Sequence, residues 1–520
     1  MLSDSQRPRA QIHPVVKIIG ALLALVVITL VAALRPVDYT PYFETEYYRN
    51  TRARLAQLAN DKALRSRDAL FVGMGRASLT PRLGSENGEP GSFQKLPLAG
   101  YGKRQGRSAE GVHDSLFASA VALRVGAKEV VLVNIDALIV SRAMAEGVIA
   151  QVDSGLGLKR EQVLFSATHT HSGPGAWGEG LLAELFADEY NPKVLQWMIQ
   201  QMVAAIRRAH ADLSPASFGY GNFAAPRYIA NRLVGEKGGV DEQFTYLVFR
   251  QADGDYAILG AYAAHATVLT HRNMLLTADY CGYWREAIEK AFAKPEHFVI
   301  PPLRGARGVS RDANLVAKQH PPNPPQGGNF QIPFDRKNRT IAIFFAGGVG
   351  SQSPRGEGGE FEAARFIGEG LADSLLLRLP SLAFKPEATL GYLGLKVDLP
   401  ELHIRATEEW RLAPWLAQQL VYERDSYLQL IALDDLLWLG APCDISGEIS
   451  STLKDFAQRR GYHAVLTSFN GSYVGYVIPG RYYHHDSYES LRMSFFGPYM
   501  GDYFEELMRR MMVAVMSEAQ

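Results

Sequence analysis

His169 and His171 stand two residues apart in Thr168-His169-Thr170-His171-Ser172-Gly173-Pro174-Gly175, directly after the apolar run QVLFSA. In an extended chain residues i and i+2 project to one face, so both imidazoles can converge on one site. The Ser-Gly-Pro-Gly that follows ends the strand and lets backbone approach a ligand closely. Neutral imidazole is a good zinc ligand, which makes the pair a metal arrangement, with two structural histidines as the competing reading. His265 ends a second apolar run, AILGAYAAH, and Asp444 a third, LLWLGAPCD. Tyr473 and Tyr476 lie in FNGSYVGYVIPG, and Tyr488-Glu489 in the loop beyond. The chain has only 2 cysteines, Cys281 and Cys443. That excludes a disulfide scaffold and a Cys-rich structural zinc site, so any metal is held by His, carboxylate or Tyr.

The elements that must position these groups alternate between strand and helix. VALRV and EVVLVNIDAL read as buried strands, the second followed by the helix-like SRAMAEGVIAQVDSG. KVLQWMIQQMVAAIRRAHADL is amphipathic, with Leu195, Met198, Ile199, Met202 and Ile206 on one side. YAILGAYAAHATVL, REAIEKAFA, TIAIFFAGGVG and FEAARFIGEGLADSLLLRL repeat the same grammar, and a Met-rich helix closes the chain. The fold class expected is α/β, a mixed sheet covered by helices in a single large catalytic domain over residues 70–520. Residues 301–338 are Pro/Gly-rich and read as a long surface loop or insert.

Lys+Arg and Asp+Glu both number 54, and without a basic excess or stripe the sequence gives no sign of a nucleic-acid partner. Ile18 to Leu34 is an unbroken apolar run between Lys17 and Arg35. At about 1.5 Å per residue it just crosses a hydrocarbon core. Arg7, Arg9 and Lys17 precede it, so a cytoplasmic tail over residues 1–17 and a signal anchor over 18–34 are expected. A linker and stalk helix follow over 35–69, the helix over 44–67. The rest of the chain is then exported, periplasmic or extracellular, and secreted if the segment is cleaved as a signal peptide.

In fixed order, these blocks resemble the neutral/alkaline (non-lysosomal) ceramidases. FSATHTHSGPGAW is similar to that family's signature. VGMGRASLTP, GVHDSLFASAVAL, VLVNIDALIVSR, IANRLV, AYAAHATVL with LTADYCGY, and FFAGGVGSQSPRG fit the flanking blocks, from about residue 70 to about residue 500. The resemblance implies one Zn2+ per chain, with His169, His265, Asp444 and Tyr476 as ligands. It implies that His171, Arg232 and Tyr488 surround the scissile amide, and that Ser353 lies near the metal. The reaction it implies is hydrolysis of the N-acyl bond of ceramide to a sphingoid base and a fatty acid. Tyr488 would stabilise the oxyanion, and His171 would take the proton of an attacking water and return it to the amine.

Three departures bear on that mapping. Asp444 stands where the family has glutamate, one methylene longer, with Glu448 one helical turn on as a substitute. Gly-Ser-Gln-Ser-Pro-Arg replaces Gly-Asp-Val-Ser-Pro-Asn around Ser353, and the stretch from Ser353 to Asp444 is shorter. By the same mapping Cys281 and Cys443 both lie near the metal, as two small buried thiols or as one disulfide. The substrate partner is then a ceramide-like lipid amide, with another N-acyl lipid or small amide as the second enzyme reading and a non-catalytic binding protein as the third. Oligomeric state is not written in the sequence.

Overall fold

The computed structural model describes residues 14–60, 64–293, 339–421, 423 and 425–516. The Pro/Gly-rich stretch 301–338 and most of the expected tail lie outside the described residues. One branched sheet of 12 strands organises the chain. In chain order these are β1 Arg65–Ser78, β2 Phe117–Val125, β3 Lys128–Ile135, β4 Val163–Ala167, β5 Ser214–Ala224 and β6 Gln243–Gln251. They continue as β7 Tyr256–Tyr262, β8 Thr340–Ala346, β9 Glu387–Asp398, β10 Asp425–Leu433, β11 Leu436–Gly440 and β12 His463–Thr467. The spatial order is β8-β7-β6-β5-β1-β9-β10-β11-β12, with β2, β3 and β4 branching from β1.

The branch is possible because β1 is 14 residues long. Arg65–Ala69 pair with β9, and Leu70–Ser78 pair with β2. Three pairs are parallel, β3 with β4, β7 with β8 and β11 with β12, and the rest of the sheet is antiparallel. A parallel pair needs a long crossover. α3 (Arg142–Leu156) supplies the first and α9 (Gly447–Gln458) the last. α6 (Tyr280–Ala293) lies within the connection between β7 and β8. The remaining helices are α1 Pro14–Ala33, α2 Glu46–Ala59, α4 Leu181–Ala187, α5 Pro192–Ala211, α7 Glu360–Leu376, α8 Pro414–Ala417, α10 Tyr488–Leu491 and α11 Met500–Met516.

A central apolar cluster draws on every branch of the sheet, from Leu70 and Leu123 to Leu259, Phe345, Leu390 and Trp438. Each outer face carries its own helices: α3 and α5 over β1–β4, α6 and α7 over β6–β8, and α2, α9 and α11 over β9–β12. α5 shows how local sequence sets this packing. Asn191 caps its first turn by accepting from the Lys193 amide, and Pro192 opens it at a position whose amide needs no partner. Leu195, Met198, Ile199, Met202 and Ile206 are buried as their spacing predicts, each contributing about 1.5–3 kcal/mol of apolar burial. Gly73 and Gly75 of β1 let the helix backbone lie against the strand. A Cβ there would come within 2.0 Å and 2.1 Å of the Ala209 and Ala205 carbonyl oxygens.

Several boundaries differ from expectation. The helix expected over 44–67 is α2, ending at Ala59, and the domain has already begun at Arg65, where the polar half of β1 pairs with β9. α2 packs on the domain, burying Tyr48, Thr51 and Leu55. The expected linker carries a short strand, Leu34–Pro36, antiparallel to Trp410–Leu412. The side chains at 14, 17 and 26–28 of α1 lie outside the described set, and among the described residues no helix is long and apolar enough to cross a membrane.

Candidate active site

The carboxyl-terminal ends of the three parallel pairs meet at one place, where an open α/β sheet leaves a crevice for ligand. Leaving β4 the chain reaches His169 and His171, leaving β7 it reaches His265, and leaving β11 it reaches Asp444. Leaving β12 it reaches Tyr473 and Tyr476. Asp444 and Tyr476 are direct partners in a short parallel ladder, Asp444–Ile445 with Tyr476–Val477.

The imidazole pair does not converge by strand alternation, as the spacing had predicted. β4 ends at Ala167, and His169 sits at φ 60°, in the left-handed region. That turn brings the ring against Phe469, itself at φ 69°, with the two rings stacked at 4.3 Å. His171 is then set by the loop, its amide donating to the Ala266 carbonyl at 3.3 Å.

The ring nitrogens of His169, His171 and His265 lie within 4.8 Å of one another. His169 Nδ1 is 2.6 Å from the Leu138 carbonyl, and His265 Nδ1 is 3.2 Å from the Val349 carbonyl. A carbonyl can only accept, so each Nδ1 carries the proton and each Nε2 turns its lone pair inward. His171 is different: its Nδ1 lies by the Gly100 backbone without a well-aligned hydrogen bond, and its Nε2 lies 3.0 Å from His265 Nε2 and 3.4 Å from His169 Nε2. Burial pushes the His169 imidazole down to about 3 and those of His171 and His265 well below their ordinary value. All three are neutral at pH 7.

Asp444 completes the cluster. Its Oδ2 accepts from the Tyr473 hydroxyl at 2.7 Å, while its Oδ1 has no hydrogen-bond partner and stands 3.3 Å from His169 Nε2. Burial raises this carboxyl to about 7, against the opposing effect of the Tyr473 hydrogen bond. Two buried acceptors facing each other at that distance repel unless a proton or a metal cation lies between them. The donor set of imidazole nitrogens and carboxylate oxygen fits a first-row transition ion better than calcium or magnesium. The residues present therefore fit a bound metal.

Arg232 and Glu489 form a buried ion pair, Nε to Oε1 at 2.7 Å, without the alignment of a directed hydrogen bond. Arg232 also donates to the Tyr476 hydroxyl at 2.9 Å. These side chains and Tyr488 line a cavity of about 1380 Å³ that the histidines and Asp444 close at its floor. Leu138, Ile139, Trp177, Leu182, Phe186 and Met493 give its walls their apolar character.

Of the residues singled out in the sequence, His169, His171, Arg232, His265, Asp444, Tyr476 and Tyr488 all line this cavity. Ser353 does not stand with them: it pairs with Ala230 between two three-residue strands, and its hydroxyl donates to the Ala230 carbonyl at 3.4 Å. Glu448 is also elsewhere, accepting from Gly239 and paired with Arg481, so the carboxylate at the cluster is Asp444. Cys281 and Cys443 are both buried and free. Sequence reasoning missed the loop that holds His171. Tyr101 packs on its ring at 4.7 Å, and Gly100 passes so close that a Cβ would lie 2.6 Å from His171 Cγ. Arg104, buried beneath, donates to the carbonyls of Ala99 and His171. The run Ala99-Gly100-Tyr101-Gly102 was the available signal, since a glycine beside an aromatic residue marks close backbone approach.

The family model for neutral/alkaline non-lysosomal ceramidase, N-terminal, matches residues 89–365. It takes in His169, His171, Arg232 and His265, while Asp444, Tyr476 and Tyr488 lie beyond it. The neutral ceramidase of Pseudomonas aeruginosa is 27% identical over 279 residues, 51% of this chain and 39% of that protein. That of Mycobacterium tuberculosis is 25% identical over 232 residues, 41% of this chain and 35% of that protein. The chain thus spans well under half the length of these curated relatives. The crystal structure of the Pseudomonas aeruginosa enzyme shares the fold, with TM-score 0.65 and 21% identity over 86% of this chain and 75% of that chain.

Proposed function

The chain belongs to the neutral/alkaline non-lysosomal ceramidase family, and we propose that it is a zinc-dependent amidohydrolase that cleaves ceramide to a sphingoid base and a free fatty acid. The observation that carries the reading is the pair of inward-facing acceptors, His169 Nε2 and Asp444 Oδ1, beside His265 Nε2 on the floor of an apolar cavity. His169, His265, Asp444 and Tyr476 would hold the ion. Zinc bound there supplies Lewis acidity toward water and toward the amide carbonyl.

The side chains divide the remaining work. His171 is neutral and turns its Nε2 into the cluster, so a lone pair there can take a proton from the attacking water and return it to the leaving amine. Water's oxygen is left on the acyl carbon, the C–N bond breaks, and the amine leaves protonated. Arg232, held by Glu489 and Tyr476, presents fixed positive charge to the substrate oxygens, and Tyr488 at the cavity wall offers a hydroxyl to the developing oxyanion. Apolar walls take the hydrocarbon chains and exclude bulk water. Ser353, turned to the Ala230 carbonyl, has no part in this reading.

α1 is read as a membrane anchor that keeps the catalytic domain on the exported side. Its described apolar side chains, among them Val15, Ile18, Leu22, Leu25 and Val31, are exposed around the helix, where lipid would cover them. Incubating the purified full chain with a panel of N-acyl amides tests the substrate. Release of fatty acid from ceramide is expected. Release only from other acyl amides would replace the substrate, and release from none in the presence of zinc would overturn the enzyme reading.

A further inference from the structure

One wall of the cavity and the end of α1 are built on the same stretch of chain. The strand Leu34–Pro36 pairs with Trp410–Leu412, the Ala413 amide donates to the Ala33 carbonyl at 2.7 Å, and Trp415 Nε1 donates to the Ala32 carbonyl at 3.1 Å. Three residues after Trp415, the segment Gln418–Val421 becomes cavity wall. α4 contributes Leu182 and Leu185 to the same cavity. Large apolar side chains of these two segments face solvent: Leu181 is 65% exposed, Leu185 59% and Trp415 58%, and Trp410 and Leu420, on either side of Trp415 in the chain, are exposed as well. Leu181 and Leu185, four apart, share one face of α4. Exposed apolar groups clustered around one opening mark a binding surface, and tryptophans at the end of an apolar helix suit the boundary between hydrocarbon and water.

We propose that Leu181, Leu185, Trp410, Trp415 and Leu420 form a rim that seats the cavity mouth on the lipid bilayer holding α1, so that substrate passes from the bilayer into the cavity without crossing water. The proposal rests on the amidase and anchor readings above. The occupant is a bilayer surface because the rim is bonded to the carboxyl end of α1, and a helix seated in lipid brings these side chains to the interface with it.

Cys281 and Cys443 are buried, so a thiol-reactive fluorophore reports on an introduced cysteine. The full chain in vesicles is labelled at Leu181→Cys. Lys385→Cys serves as the control, because Lys385 pairs with Asp434 at the end of β11 remote from Asp444. Brominated acyl lipids should quench the label at 181 and leave that at 385 bright and open to iodide. Equal behaviour of the two labels, or a chain that does not float with the vesicles, overturns the rim.

The second arm is kinetic. Leu181→Asp/Trp415→Asp, neither residue lining the cavity, should cut turnover of vesicle-borne long-chain ceramide by roughly tenfold or more while a water-soluble short-chain ceramide changes less than about twofold. Equal loss on both substrates, or none on either, overturns the proposal. A wild-type chain inert toward both substrates, with the label on Leu181→Cys still quenched, removes the amidase reading and supports the rim.

Discussion

Gly100→Ala tests the placement of His171 by the loop that passes beside it. Gly100 has φ 106°, and a Cβ on it would stand 2.6 Å from both Cγ and Nδ1 of His171. Ordinary contact begins at 3.4 Å, so the ring or the loop must yield by 3.4 − 2.6, about 0.8 Å. The ring has little room, with Tyr101 at 4.7 Å on one side and the His265 nitrogen at 3.0 Å on another. A misplacement near 1 Å costs on the order of 10²-fold in rate, about 2.7 kcal/mol of barrier. The positive φ adds about 1–3 kcal/mol of backbone strain that reports on stability alone. Gly84→Ala is the control: it carries φ 84° with nothing within 4 Å of the added carbon. Steady-state kinetics and thermal melts on both variants separate the two effects. Gly100→Ala should lose about 10²-fold in kcat/KM while keeping its metal, and Gly84→Ala should stay within about threefold of wild type. Full activity in Gly100→Ala, with a melting shift equal to that of the control, would refute the argument that His171 must stand where the loop puts it.

Other perturbations reach the site through its supports. Tyr473→Phe removes the hydrogen bond that orients Asp444 and should weaken metal affinity about 10–100-fold in a competitive chelator titration, with secondary structure unchanged. Arg232→Gln leaves Glu489 buried without its partner and should cost about 3–5 kcal/mol in denaturant unfolding, part of it recovered in Arg232→Gln/Glu489→Gln. Asp279, buried between the loop at Leu269 and the start of α6, is raised to about 7 by burial. Its folded value exceeds its unfolded one, so its contribution to stability is full below about pH 4 and is lost as pH rises through about 7. Unfolding free energies at pH 5 and pH 8 should therefore differ less in Asp279→Asn than in wild type, and equal differences would contradict the assignment.

Much of the architecture was legible because apolar patterning marks burial. The unbroken runs of β3, β4, β7, β8 and β11 are those of parallel strands covered on both faces, and His169 with His171, His265 and Asp444 were placed just after β4, β7 and β11. The left-handed turn at His169 was not legible, since Thr-His-Thr-His carries no glycine or asparagine to signal it and tertiary contact with Phe469 holds it. The carbonyls of Leu138 and Val349 that orient two imidazoles are backbone groups without a residue signature. The resemblance put Ser353 near the metal, but its register against Ala230 turns the hydroxyl to that strand. β1 read as starting near Leu70 because its first residues face solvent and lack an apolar pattern.

The central claim is that His169, His265 and Asp444 are built to hold a metal ion that the chemistry requires. Elemental analysis of the purified full chain, paired with His265→Ala and with fatty-acid release from ceramide, tests it most directly. The account predicts about one zinc per wild-type chain and loss of both metal and turnover in His265→Ala. Less than about 0.1 metal per chain with no turnover on zinc addition, or a metal-free chain that turns over fully, would contradict it.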